Sequence, residues 1–245
     1  MRRKLVKQGL ATYTISLPKE WVDRFSLKVG EEVDIEESGM QLVISSVQKQ
    51  KKHETINYNF RDVPEVIVHD FVVSLYKSGL KDLEINEVNR EKLNLAREVV
   101  DTTIGFEVLG LEGGKVHIVD LSTSDEESLT RAKNQIYWRI LNMVDRILDS
   151  GSKESEIHKI DLEINRLAFF IQRNLSGKFS NNSKNFLLYE EAATSESLGD
   201  FLRSFKIYSS LNESDKEFLK KVYEIIDSLR AEISTLEHFL EIKQK

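Results

Sequence analysis

From residue 124 onward no proline interrupts the chain, and apolar residues recur at steps of three and four. Such spacing lines them along one face of an α-helix, because a turn takes 3.6 residues. Four helices are predicted. The first carries Leu129, Ala132, Ile136, Ile140, Met143 and Ile147 and ends at Gly151. The second carries Ile157, Ile160, Ile164, Leu167, Ile171 and Leu175 and ends at Gly177. A polar loop, 180–183, precedes a third that reaches Leu211. The fourth steps by three and four through Leu219, Val222, Ile226, Leu229, Ile233, Leu236 and Leu240. That is a heptad seam, suited to an antiparallel bundle or to a dimer interface. Ser124 with Glu127 should cap the first helix, and Ser214 with Glu217 the fourth.

Upstream the pattern changes. Both prolines, Pro18 and Pro64, stand at predicted helix starts. Residues 2–8 and 12–17 read as short strands around Gly9, followed by a helix over 18–25. Residues 29–35 and 41–45 read as a second hairpin with its turn at 37–40, which makes a ββαββ unit. A unit this small buries little surface alone and needs a partner. The polar run Gln48-Lys-Gln-Lys-Lys-His53 marks a boundary. Residues 60–123 read as mixed: a helix from Pro64 carrying Val66, Ile67, Phe71, Val72 and Leu75, a strand at 82–86, a helix at 89–101, and a hairpin around Gly113-Gly114. The expected fold is α+β and mostly helical. Its parts are an N-terminal β domain over 1–47, a linker over 48–59, a mixed α/β part over 60–123 and an antiparallel helix bundle over 124–245.

Composition removes several functions. There are no cysteines, which excludes disulfides, thiolate metal sites and cysteine nucleophiles. No apolar run nears the roughly 20 residues of a membrane span, and the basic start lacks the apolar stretch of a signal peptide. A cytoplasmic protein without membrane insertion is expected. The five histidines (His53, His69, His117, His158, His238) show no ligand spacing. Gly110-Leu-Glu-Gly-Gly-Lys115 has the wrong spacing for a phosphate loop and suits a hairpin turn. No catalytic residues are predicted, and the chain is read as a non-enzyme.

Charge is unevenly spread. Residues 1–24 hold six basic side chains against two acids, while the whole chain carries −6. A basic end on an acidic body suggests a polyanionic partner for that end; the rival reading is a plain basic tail. Arg2, Arg3, Lys4 and Lys7 would attract phosphates, with Lys19 at the following helix. Gln8 and the arginines can also reach base edges, and Thr12, Thr14 and Ser16 stand beside them.

The stretch Arg3-Lys-Leu-Val-Lys-Gln-Gly-Leu-Ala-Thr-Tyr-Thr-Ile-Ser-Leu-Pro-Lys-Glu-Trp21, followed by Leu27-Lys-Val-Gly-Glu-Glu-Val33, resembles an AbrB/SpoVT-type swapped-hairpin domain. It covers residues 2–46 and is similar to MazE-type antitoxins too. The resemblance implies an intertwined homodimer that binds promoter DNA through its basic strands. The remainder, over most of 60–243, resembles the archaeal type of PhoU-like phosphate uptake regulator. The matching stretches are Leu75-Tyr-Lys-Ser-Gly-Leu80, Ile104-Gly-Phe-Glu-Val108, Asp161-Leu-Glu-Ile-Asn-Arg-Leu167 and Glu196-Ser-Leu-Gly-Asp200. PhoU proteins carry acidic motifs that bind divalent or iron ions. Glu196 and Asp200 match one such motif and share a helix face. Asp161 would be a third ligand, but the second acid of its motif has become Asn165. No cofactor is required by this reading, and a solvated acidic face explains the pair as well.

These features lead to a dimeric DNA-binding transcription regulator linked to phosphate supply. One alternative is a signalling adaptor that binds a phosphate transporter or sensor protein. Another is an antitoxin, against which the long C-terminal heptad helix argues.

Overall fold

A computed structural model describes residues 2–9, 11–38, 41–46, 55–176, 183–208 and 211–243. The chain divides into two compact units, Met1–His53 and Glu54–Lys245. The run 48–53, the hairpin tip at Gly39 and Met40, the stop at Gly177 and most of the 180–183 loop lie outside the described residues.

In the first unit β1 (Val6–Gln8) pairs antiparallel with β2 (Thr12–Thr14), with Val6 opposite Thr14. These strands are shorter than the sequence suggested. Gly9 sits at φ +79° in the turn, a conformation natural to glycine. Pro18 caps the short helix α1 (Lys19–Arg24). A second antiparallel pair follows, β3 (Val33–Ser38) with β4 (Gln41–Ser46). None of the side chains whose burial is described in this unit is buried. Leu5, Tyr13, Ile15, Ile35 and Leu42 are all more than half exposed. Isolated two-stranded ribbons are marginal in water, so these apolar faces need cover from outside the unit.

The second unit begins with a four-stranded sheet in the order β5-β6-β8-β7. Its strands are β5 (Ile56–Asn59), β6 (Asp82–Asn86), β7 (Phe106–Glu112) and β8 (Lys115–Asp120). The expected linker therefore extended too far. Residues 56–59 join the sheet, parallel to β6, because Ile56 and Tyr58 pack on its core. The crossover is α2 (Glu65–Lys77), and α3 (Arg90–Thr102) follows β6. The buried face of α2 is Val68, Val72, Val73, Leu75 and Tyr76. Val66 and Ile67, expected on that face, are exposed; the stripe that begins at Val68 (i, i+4, i+8) meets the sheet instead. Gly113 and Gly114, both at positive φ, make the two-residue turn between Glu112 and Lys115.

The bundle comprises α4 (Glu126–Leu148), α5 (Glu154–Leu175), α6 (Ser183–Tyr208) and α7 (Glu213–Lys243). Helix α4 packs on the other three, and α5 also packs on α6. Every apolar position predicted to line α4 is buried. In α7 the seam is buried at Leu219 and Ile226, while Leu229 is 42% exposed; the side chains of Ile233, Leu236 and Leu240 lie outside the described residues. Both expected capping pairs are displaced. Asp125 and Ser128 cap α4, because the Ser124 hydroxyl bonds Asn174 on α5. Asn212 and Asp215 cap α7: Asn212 Oδ1 accepts from the Asp215 amide at 3.0 Å, and Asp215 Oδ2 from the Asn212 amide at 2.9 Å.

Candidate functional site

Two sites were expected, one in each unit. In the N-terminal unit Arg2, Arg3, Lys4, Lys7, Gln8, Thr12, Thr14, Ser16 and Lys19 are all exposed. They do not form one surface. Cross-strand partners share a face, so Gln8 and Thr12 lie together with Val6 and Thr14, while Lys7 stands opposite Tyr13 on the other side. The Thr14 hydroxyl donates to the Val6 carbonyl at 3.3 Å. Arg2, Arg3 and Lys4 precede β1, Ser16 lies between β2 and α1, and Lys19 opens α1.

In the second unit a cavity opens between α2, α5 and α6. It gathers Asp161 with Glu196 and Asp200, as anticipated. It also gathers groups that spacing along the chain did not reveal: His69 and Lys77 from α2, His158 and Arg166 from α5, and Arg203 from α6. Histidines judged scattered are thus brought to one cavity by two different helices. The usable signal was a charged residue inside an apolar stripe. Asp161 follows Ile160 and precedes Ile164 on the buried side of α5.

Asp161 is 1% exposed. Its Oδ2 accepts from Arg203 Nη1 at 3.3 Å, whereas its Oδ1 has no partner. Gly199 permits that burial: a Cβ there would stand 3.2 Å from Asp161 Oδ1 and 3.4 Å from Ile164. Asn165 Oδ1, His158 Nδ1 and Arg203 Nε are also buried without partners. Burial, then the charge of Asp200, push the Asp161 carboxyl above the usual range, against the pull of Arg203. Burial and Asp200 raise Glu196 likewise, against Lys77.

A metal ion does not fit this arrangement. Among the described residues no three His, Asp or Glu side chains are placed to hold one. Asp161 is engaged by Arg203, and Asn165 supplies an amide where the acidic motif would supply a second carboxylate. The expected ligands come together, but as part of a mixed-charge cavity and not as a carboxylate cage.

A second buried ion pair ties α5 to the sheet and α2. Arg173 donates to Asp120 Oδ2 from Nη2 at 2.7 Å and from Nε at 3.2 Å. It also donates to the carbonyls of Tyr76, at 2.6 Å, and Leu80. Its guanidinium lies within 4.8 Å of the Tyr76 ring centre and 4.6 Å of that of Phe106. Asp120 Oδ1 accepts from the Ser122 amide and hydroxyl. Burial would raise Asp120, but the Ser122 and Arg173 bonds outweigh it and hold the carboxyl below its ordinary value. Gly105, at φ +93°, is required beside it, because a Cβ there would stand 2.4 Å from that of Ser122.

Residues 6–52 match the family described as antidote-toxin recognition MazE, bacterial antitoxin. No curated protein and no solved structure matches the chain. No helix among the described residues is long and apolar enough to cross a membrane.

Proposed function

We propose that this protein is a cytoplasmic, dimeric, DNA-binding regulator that acts by binding and not by catalysis. The observation that carries this reading is a basic N-terminal stretch, residues 1–24, on a first unit that leaves Leu5, Tyr13, Ile15, Ile35 and Leu42 exposed. A second copy would cover those faces and bring a second set of the basic residues in symmetric array, as recognition of paired half-sites requires. The MazE-like match over 6–52 supports the same assembly. The second unit is then a PhoU-like sensor region, and phosphate supply the regulated process; that link rests on the resemblance of 60–243 alone.

Binding of the full chain to DNA from its own promoter region, followed across salt concentrations, tests the proposal. Log affinity should fall steeply with log salt, and each phosphate contact removed should flatten the slope by about 0.9. Changing Arg2, Arg3 and Lys4 together to Ala should therefore weaken binding and flatten the slope. Binding indifferent to that triple change removes these residues from the interface, and absence of binding overturns the proposal. The family match favours a second reading, an antitoxin that recognises a protein toxin. Co-purification with a stoichiometric toxin partner would select it.

A further inference from the structure

Helix α7 carries more apolar surface than the bundle covers. Leu219 and Ile226 are buried against the bundle, with Val222 and Tyr223 packed beside them. Phe218, Ile225 and Leu229 lie on the adjoining face and are 44%, 60% and 42% exposed. They stand seven and four residues apart, the steps of a seam that another helix fills with its own side chains. Helix α6 reaches this face at Phe218, whose ring centre is 6.3 Å from that of Phe201 and 6.2 Å from that of Phe205. Helix α7 is also 31 residues long against 23 for α4, the helix it packs on. About 12 Å of its length therefore exceeds what α4 can cover.

The charges along α7 identify the occupant. The same steps of three and four continue the stripe in sequence to Glu232 and Leu236. In a parallel pair of α7 helices position 232 would oppose itself, and two carboxylates facing across a seam repel. Turned antiparallel about a two-fold axis at Asp227, the helix complements itself. Ile225 meets the partner's Leu229, Phe218 meets the partner's Leu236, and position 232 falls beside the partner's Lys221. Lys221 is exposed, and its bond to Glu217 is a surface pair that exchanges at little cost. Self-complementarity in one orientation is what an interface between two identical copies requires. We propose that α7 pairs antiparallel with α7 of a second copy of this chain, through Phe218, Ile225 and Leu229, with Lys221 of each copy against the partner's Glu232. The contact lies wholly within the second unit, so it stands or falls separately from DNA binding.

The chain has no cysteine, so one introduced thiol reports on one position. Ser228→Cys and Ser214→Cys, both at exposed positions, are made separately in the full chain and treated with a short bismaleimide. In the antiparallel pair the two copies of residue 228 are about 3 Å apart along the helix axis, and those of residue 214 about 39 Å. The expected result is a linked dimer from Ser228→Cys and none from Ser214→Cys. Adding Lys221→Glu to Ser228→Cys should slow linking roughly tenfold, and adding Glu232→Lys as well should restore it. Ile225→Asp should abolish linking with the melting temperature unchanged, because the side chain it replaces is 60% exposed. Four outcomes overturn the proposal: no linking at Ser228, linking at Ser214, linking at Ser228 unmoved by Ile225→Asp or Lys221→Glu, or no recovery with Glu232→Lys.

Discussion

Helix α5 carries one member of each of two buried ion pairs, and the two are built differently. At Arg173–Asp120 both side chains are almost fully buried, 3% and 6% exposed. The guanidinium meets a carboxylate, two carbonyls and two ring faces, and the second oxygen of Asp120 is met by Ser122. At Arg203–Asp161 the aspartate is equally buried, 1% exposed, but the arginine is 35% exposed and one contact of 3.3 Å joins them. Around that pair four buried polar atoms have no partner. Taking a charge out of water costs several kcal/mol unless hydrogen bonds replace the lost hydration. The first pair meets that condition and holds the α5 end of the bundle to the sheet. The second meets it only in part.

The comparison breaks most directly at Arg173. Arg173→Ala leaves Asp120 buried without its cation and two carbonyls without a donor. Loss of one partner of a buried pair costs about 3–5 kcal/mol, so thermal unfolding of the second unit should fall by roughly 10 °C. A loss below about 1 kcal/mol, measured by denaturant titration, would show that the knot does not hold the scaffold.

The opposite sign is expected at Asp161. Its folded pKa is raised, so its ionised form weighs against folding, and the stability it supplies is present below the unfolded value of 3.8 and lost as pH rises through the folded value. Asp161→Asn should therefore melt higher than the native chain at pH 7, by roughly 2–4 °C, and the gain should vanish as pH falls below 3.8. Asp120 runs the other way. Its folded pKa is lowered, so its contribution is present above the unfolded value of 3.8 and lost as pH falls through the folded value. The deficit of Asp120→Asn should thus grow as pH rises past about 4. Melting curves of the two variants across pH 3–7 that run parallel would erase the distinction between the pairs.

How much of this could be read from the chain follows from which forces are local. The bundle was legible because a buried helical face needs apolar residues every three or four positions, and all six predicted on α4 are buried. The hairpin at Gly113-Gly114 was legible because its turn needs positive φ. Strand β5 was missed, since four residues beside a polar run carry almost no periodic signal and take their pairing from β6, far along the chain. The carboxylates of the cavity were found because Glu196 and Asp200 share one helix. Lys77, His158 and Arg203 were not grouped with them, because each is on a helical face whose neighbours are set by tertiary packing. The Arg173 knot joins residues 53 and 97 positions apart, a pairing that spacing along the chain does not reveal.

Helix caps supply the small, exposed baseline for both buried pairs. Ser-x-x-Glu was the pattern expected at each helix start, yet the structure uses the pairs Asp125 with Ser128 and Asn212 with Asp215. Any of several short polar side chains can satisfy the free amides of a first turn, so tertiary contacts decide which one does. At α4 the neighbouring Ser124 is drawn to Asn174. At α7 Asn212 and Asp215 exchange amide bonds in the solvent-facing first turn. Asn212→Ala should cost about 1 kcal/mol, and Ser214→Ala less than about 0.5 kcal/mol. A larger loss from Ser214→Ala than from Asn212→Ala in chemical denaturation would restore the cap first read from the sequence. With the structural order confirmed, the Asn212 value sets what one exposed hydrogen-bonded pair is worth in this chain. The Arg173 loss should exceed that value severalfold because its partners are buried, and the Asp161 change should depart from it in sign.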